Sequence, residues 1–191
     1  MDSMFDFSYF PVLETERLRL RKLSDADADQ ILALYSDPEA TRYLIIEPPC
    51  NTREDAIRMI DWMQSWFDNQ AAARWGITLR EGGDSVIGTI GFHYLERTHR
   101  RCDLGYDLLP IYWNRGYVTE AARAVVGWCF ENLNLHRVQA DCTAGNIGSE
   151  RVLEKVGFTL EGIWRENTFE HGQFVSLKQY GLLRREYLPG E

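Results

Sequence analysis

Three groups of residues in this chain of 191 residues have types and spacings suited to chemistry. The first is Trp113-Asn114-Arg115-Gly116-Tyr117-Val118-Thr119-Glu120-Ala121, where a glycine turn opens directly into a helical pattern. The first turn of a helix leaves backbone N–H groups unpaired and carries partial positive charge, so a strand, a tight loop and a helix start in succession can hold a phosphate or pyrophosphate. The second is Asp103 in Cys102-Asp103-Leu104-Gly105-Tyr106-Asp107-Leu108-Leu109-Pro110, a strand over 102–109 stopped by its proline. On a period of two, Asp103 shares a face with Gly105 and Asp107, opposite Leu104, Tyr106 and Leu108. A carboxylate so placed faces solvent, pairs with an arginine, or takes a proton. The third is Asn146-Ile147-Gly148-Ser149, opening a short helix that ends at Gly157. Asn is a preferred N-cap, and a serine one turn in is usually solvated or bonded to its own backbone.

The elements that must position these groups can be read from periodicity. Leu18 and Leu20 alternate with Arg17, Arg19 and Arg21, giving a strand with one apolar face. Ser24 or Asp25 caps a helix through Ile31, Leu32, Leu34 and Tyr35 until Asp37-Pro38 interrupts it, with Thr41 to Leu44 as a possible extension. A loop from Ile45 to Cys50 leads to a cap at Asn51 or Thr52. In the helix that follows, Ala56, Ile60, Met63 and Phe67 repeat at three and four, with Met59, Trp62 and Trp66 on the adjoining stripe, so a large surface is expected against this face. From Ala73 the period becomes two: 75–79 and 86–92 read as a hairpin about Gly82-Gly83. Val118, Ala122, Val125, Val126, Cys129 and Leu133 form the stripe of a third helix, 137–142 another strand, and Thr159 to Asn167 and Val175 to Leu183 a final pair. The order β-α-α-β-β-β-α-β-α-β-β predicts an α/β fold with one mixed, mostly antiparallel sheet and helices on both faces. No repeat or linker divides it, so one domain over 1–191, with its core at about 15–187, is expected.

Composition narrows the function. Acidic residues outnumber basic ones 29 to 21 for a formal net charge of −8, with no basic stripe interleaved with aromatics. That argues against nucleic acid as a main partner and suits a cationic substrate. Cys50, Cys102, Cys129 and Cys142 have neither C-x-x-C nor metal-site spacing, so they read as free thiols in a reducing compartment and no metal is expected. The histidines, His93, His99, His136 and His171, lack spaced partners. The N-terminal run lacks a signal-peptide pattern and no stretch is apolar enough to span a membrane, so a cytoplasmic location without membrane contact is the expectation.

This order and these motifs resemble the GNAT superfamily of N-acetyltransferases, and within it the RimJ/RimL-like branch that acetylates protein N-termini and related amines. The branch pattern P-x-x-W-G-x-G-Y-A-T-E-A is met by Pro110 to Ala121 apart from Asn114 and Val118. Asp103-Leu104-Gly105-Tyr106 stands for its E-I-G-Y, and Asn146-x-x-Ser149 with Glu154-Lys155-x-Gly157-Phe158 for its N-x-x-S and E-K-x-G-F. The resemblance implies acetyl-CoA as co-substrate, with its pyrophosphate over Arg115, Gly116, Tyr117, Val118 and Thr119. It implies the pantetheine arm along the backbone of Leu104, Tyr106 and Leu108, and further contacts from Asn146 and Ser149. Arg115 either adds a charge-assisted contact or is an exposed loop residue. Ser149 is implied as proton donor to the leaving thiolate, and Asp103 as general base. An α-amine with pKa about 8 is already roughly a tenth neutral at pH 7, so it asks little of a base, whereas a lysine is almost wholly charged. The expected acceptor is therefore a protein or peptide α-amine. A small amine such as a polyamine, amino sugar or amino acid is an alternative, and a CoA-binding sensor without turnover is another. By the same resemblance Glu166 and Glu170 lie in the final strand pair, where relatives place acceptor-recognition or base residues, without aligning to the branch pattern, and Trp75, Trp164 and Tyr43 are considered for the lining of an acceptor cleft. The Asp that the branch carries near its last strand is missing around Phe174 to Tyr180, and the chain is expected to act as a monomer or homodimer.

Overall fold

The computed structural model describes residues 6–44 and 47–187; Ile45 and Ile46 of the expected loop lie outside them. Chain order runs β1 (Leu13–Glu14), β2 (Leu18–Arg21), α1 (Ala28–Ser36), α2 (Arg53–Asp68), β3 (Ala73–Leu79), β4 (Val86–Glu96), β5 (Arg101–Leu108), α3 (Tyr117–Asn132), β6 (Arg137–Thr143), α4 (Ile147–Val156), β7 (Thr159–Glu170) and β8 (Gln173–Leu183). The strands form one sheet in the order β1-β2-β3-β4-β5-β6-β8-β7. Every neighbouring pair is antiparallel except β5 and β6, which are parallel because α3 carries the chain back across the sheet. The expected mixed sheet is present with one strand more. β1 is two residues long, too short for a period of two to register.

Local chemistry accounts for the helix boundaries. Thr52 accepts from the Asp55 N–H while Asp55 returns a bond to the Thr52 N–H, a capping box that starts α2. Asp37 leaves α1 in extended conformation, as a residue before proline must, so Thr41 to Leu44 forms turns and does not prolong the helix.

The sheet separates two apolar clusters. Trp75, Phe92, Leu104, Val138 and Ala140 pack with α3 and with Leu153 of α4, while α1 and α2 close around Ile31, Leu34, Ile60 and Met63 on the other side. On α2 only the Ala56, Ile60, Met63 and Phe67 stripe is buried. The adjoining one is covered in part: Met59 and Trp66 are half-buried against the same cluster, while Trp62 is 57% exposed and lies edge-on to Trp66.

One irregularity organises the site. β5 pairs with β6 only through Arg101↔Arg137, Cys102↔Val138 and Asp103↔Gln139. Beyond that point β6 stays on β8 as far as Thr143↔Leu177, and β5 stays on β4 as far as Leu108↔Gly88. The two strands therefore part, and the β6-facing backbone of Leu104 to Leu108 has no ladder partner, a condition that invites an added strand-like ligand.

Candidate functional site

The loop between β5 and α3 is closed from within. A 3-10 turn over Pro110–Tyr112 leads to Trp113, whose indole N–H donates to the Leu108 carbonyl at 2.7 Å. Asn114 and Gly116 take left-handed φ of 60° and 79°, and Gly116 is the N-cap of α3. Having no side chain, Gly116 cannot cap the helix, so the first-turn N–H groups of Tyr117, Val118 and Thr119 remain available. A Cβ at Gly116 would come within 3.4 Å of an Arg17 guanidinium nitrogen. These features fit an anionic group lying against backbone. Val118 packs its side chain on the core, so only its amide can contribute there. Arg115 is exposed, its guanidinium 5.9 Å from the Tyr112 ring centre.

The loop is also tied from behind by residues that sequence reasoning missed. Arg17 donates to the Arg115 carbonyl at 3.0 Å and to Glu120 Oε2 at 2.7 Å, and lies over the Tyr117 ring at 4.8 Å. Glu120 accepts from Thr15 Oγ1 at 2.6 Å as well. Burial opposes ionisation of Glu120, but these hydrogen bonds outweigh it and hold its carboxyl below the ordinary range. Arg17 had registered only as the polar half of an alternating strand.

Across the gap between β5 and β6, Asn146 caps α4 by accepting from the Ser149 N–H at 3.2 Å, and Gly157 ends the helix at φ 106°. This cap turns Ser149 toward β5, where its Oγ lies 2.7 Å from the Tyr106 hydroxyl; that hydroxyl also reaches the Ser149 carbonyl at 3.3 Å. Burial raises the Tyr106 pKa, so its proton is retained at neutral pH. Burial, with Glu150 nearby, likewise pushes Cys142 up to about 11. Leu104 and Leu108 bury their side chains in the core, as a backbone role requires.

The opposite face of the sheet carries Asp103. It is half-buried, and burial raises its pKa against a hydrogen bond from Gln139. An open concavity of about 420 Å³ beside it is lined by Tyr94, Leu95, Glu96, Arg101 and Gln139. Gly105 leaves room on this face: a Cβ there would meet the His93 ring and an Arg74 nitrogen at 3.1 Å. Burial, then the charge of Arg74, lowers His93 to about 4, so its imidazole is neutral. Arg74 is ion-paired with Asp107, whose carboxylate also accepts from the Tyr35 hydroxyl at 2.9 Å, and Thr89 joins both. Sequence reasoning missed this buried group because its members come from four separate elements. Trp75, considered for an acceptor cleft, is fully buried with its indole N–H on the Pro11 carbonyl, while Trp164 is exposed. Tyr43 reaches the rim of the gap, donating to the Gly145 carbonyl at 3.3 Å.

A family model described as an acetyltransferase (GNAT) domain matches residues 17–159. The N-acetyltransferase YoaA of Bacillus subtilis (strain 168), itself uncharacterized, is 38% identical over 175 residues, 92% of this chain and 98% of its own. The crystal structure of a GNAT-family acetyltransferase from Bacillus anthracis has a TM-score of 0.80 at 27% identity, covering 92% of this chain and 100% of that one. RimL, a ribosomal alpha-N-protein acetyltransferase solved with coenzyme A, has a TM-score of 0.82 at 16% identity over 91% of this chain and 98% of its own, a likeness of fold.

Proposed function

The chain belongs to the GNAT acetyltransferase family and is an N-acetyltransferase, and from that premise we propose that it passes an acetyl group from acetyl-CoA directly to the α-amine of a peptide or protein N-terminus. The observation that carries this reading is the Ser149–Tyr106 hydroxyl pair, 2.7 Å apart, beside a strand edge left without a partner. Acetyl transfer forms an N–C bond, breaks the thioester C–S bond, releases a proton from the amine and returns one to the thiolate. Tyr117, Val118 and Thr119 hold the pyrophosphate by backbone N–H groups, and Gly116 lets it approach. Leu104 to Leu108 pair with the pantetheine arm along the open edge, and an amide of that run faces the thioester oxygen. Ser149, bonded to Tyr106, gives its proton to the sulfur and is reprotonated through the tyrosine. Cys142 lies beside Ser149, but burial pushes its thiol up to about 11, which keeps it protonated and disfavours an acyl-enzyme.

On the other face, in this reading, Asp103 takes the amine proton. Its raised pKa makes it protonated over a wider pH range than a solvent-exposed aspartate. An α-amine, partly neutral at pH 7, makes a modest demand on such a base. Small amines are a second reading, favoured by the formal net charge of −8. Thiol release from acetyl-CoA, followed with a thiol-reactive dye against peptides and small amines, tests both. Turnover confined to small amines would replace the peptide reading, and absence of turnover with every amine would end both.

A further inference from the structure

Glu170 is only 8% exposed, yet among the described residues its carboxylate accepts from one group, the Thr143 hydroxyl, at 3.1 and 3.4 Å. An ionised carboxylate has about four acceptor sites, and one removed from water is stable only when a cation or several donors meet it. Glu150, at the start of α4 on the other face of the sheet, shows the satisfied version. It takes the Lys178 ammonium at 2.8 Å and the Gly145 N–H at 3.2 Å. Lys178, paired across the ladder with Cys142 next to Thr143, is therefore already engaged. No described lysine or arginine makes an ion pair with Glu170.

The position of this carboxylate matters as much as its environment. Thr143 is the last residue of β6 and pairs with Leu177, whereas Glu170 pairs with Gln173 at the far tip of the β7–β8 hairpin. For the two side chains to meet, the tip must bend back over the end of β6, and the register irregularity between Trp164 and Thr168 is where the ladder yields. On β6, Val138, Ala140 and Cys142 face α3 and α4, so Thr143 shares the opposite face with Gln139, across from Asp103. Tyr43, through its bond to Gly145, brings the α1–α2 connection to the same rim.

We infer that Glu170, oriented by Thr143, is a subsite for a second positively charged group on the acceptor, an ammonium or guanidinium beyond the amine that is acetylated. The inference rests on the amine-acetylation reading above. That second charge comes either from a basic side chain beside a peptide N-terminus or from the distal nitrogen of a diamine.

The test uses the full chain with acetyl-CoA and two acceptor arms: peptides differing only by Lys, norleucine or Glu at the second position, and a linear diamine against the monoamine of equal length. Wild type should favour the doubly charged acceptor by about ten-fold or more in kcat/KM in at least one arm, and the arm identifies the source. Glu170→Gln should cut that preference to about two-fold or less by lowering turnover of the doubly charged acceptor selectively, and Glu170→Lys should shift preference toward the Glu peptide. Equal turnover of singly and doubly charged acceptors by wild type overturns the subsite, whatever the variants do. So does a uniform loss in Glu170→Gln across all acceptors, the mark of a merely structural carboxylate. Absence of thiol release with every amine strikes the acetylation reading itself, and the subsite with it.

Discussion

Ser149 and Tyr106 share one hydrogen bond, so their contributions to turnover should not be separable. Removing a positioned general acid costs typically 10²- to 10⁴-fold in rate, about 2.7 to 5.4 kcal/mol at the transition state. Ser149→Ala takes away the hydroxyl 2.7 Å from Tyr106 but leaves the Ser149 carbonyl at 3.3 Å to receive the tyrosine proton. The folding cost should therefore be small, about 1 kcal/mol, or roughly 2 to 4 °C in Tm for a domain of this size. Tyr106→Phe removes the other end of the same bond. Each variant should lower kcat about 10²-fold with KM for acetyl-CoA nearly unchanged, because the Gly116 loop is untouched. The double variant should be no worse than the poorer single, a coupling of about 2.7 kcal/mol. The assay is saturating steady-state thiol release for all four proteins, with binding of CoA measured separately by calorimetry. A double variant slower by the product of the two single effects would show independent roles and refute the relay. An unchanged kcat in Ser149→Ala would remove that residue from the chemistry altogether.

Gly116→Ala places a β-carbon on a residue at φ 79° and 3.4 Å from Arg17, at about 1 to 2 kcal/mol of strain, and should raise KM for acetyl-CoA several-fold more than it lowers kcat in steady-state kinetics. Asp107→Leu leaves the Arg74 guanidinium buried and unpaired; chemical denaturation should show a loss of about 3 to 5 kcal/mol, most of it recovered when Arg74→Met is added. His93, lowered to about 4 in the fold, stays neutral there while the unfolded chain binds a proton below about 6.5. Its contribution is thus intact above pH 6.5 and lost as the pH falls from there to about 4. His93→Gln should flatten the wild-type stability profile in that window by up to ~3 kcal/mol, and parallel profiles for the two proteins would contradict the assignment.

Legibility in the sequence followed how local the physics was. The start of α2 at Asn51 or Thr52, Gly157 as C-cap and the Gly116 turn each involve residues within a few positions of one another, so spacing located them; the structure selects Thr52 and adds Asp55 as its reciprocal partner. Asp103, Ser149 and the loop were picked out with the help of a family resemblance, and the fold puts the loop and Ser149 beside the open edge of β5 and Asp103 on the opposite face of the same strand. The partners of those residues were not legible. Tyr106 alternates with leucines and so read as core, and only the docking of α4 reveals that its hydroxyl meets Ser149. Tyr35, Arg74, Thr89 and Asp107 converge from one helix and three strands, a contact set that no one-dimensional pattern encodes. Glu170 stood out in the sequence only beside Glu166, as one of two carboxylates in a strand pair where relatives place acceptor-recognition or base residues; its burial against Thr143 depends on the bend of the hairpin, which no local spacing encodes.

The tie between Arg17 and the loop proposed to hold the pyrophosphate joins residues about a hundred positions apart. Any opening of β2 that frees Arg17 also releases the Arg115 carbonyl and Glu120, and a loop so released binds its anion less well. By reciprocity, occupancy of the loop must disfavour that opening. Amide hydrogens of Leu18 to Arg21, which lie outside the proposed CoA contacts, should then exchange with solvent more slowly when CoA is bound, making β2 a remote gauge of whether the loop is filled.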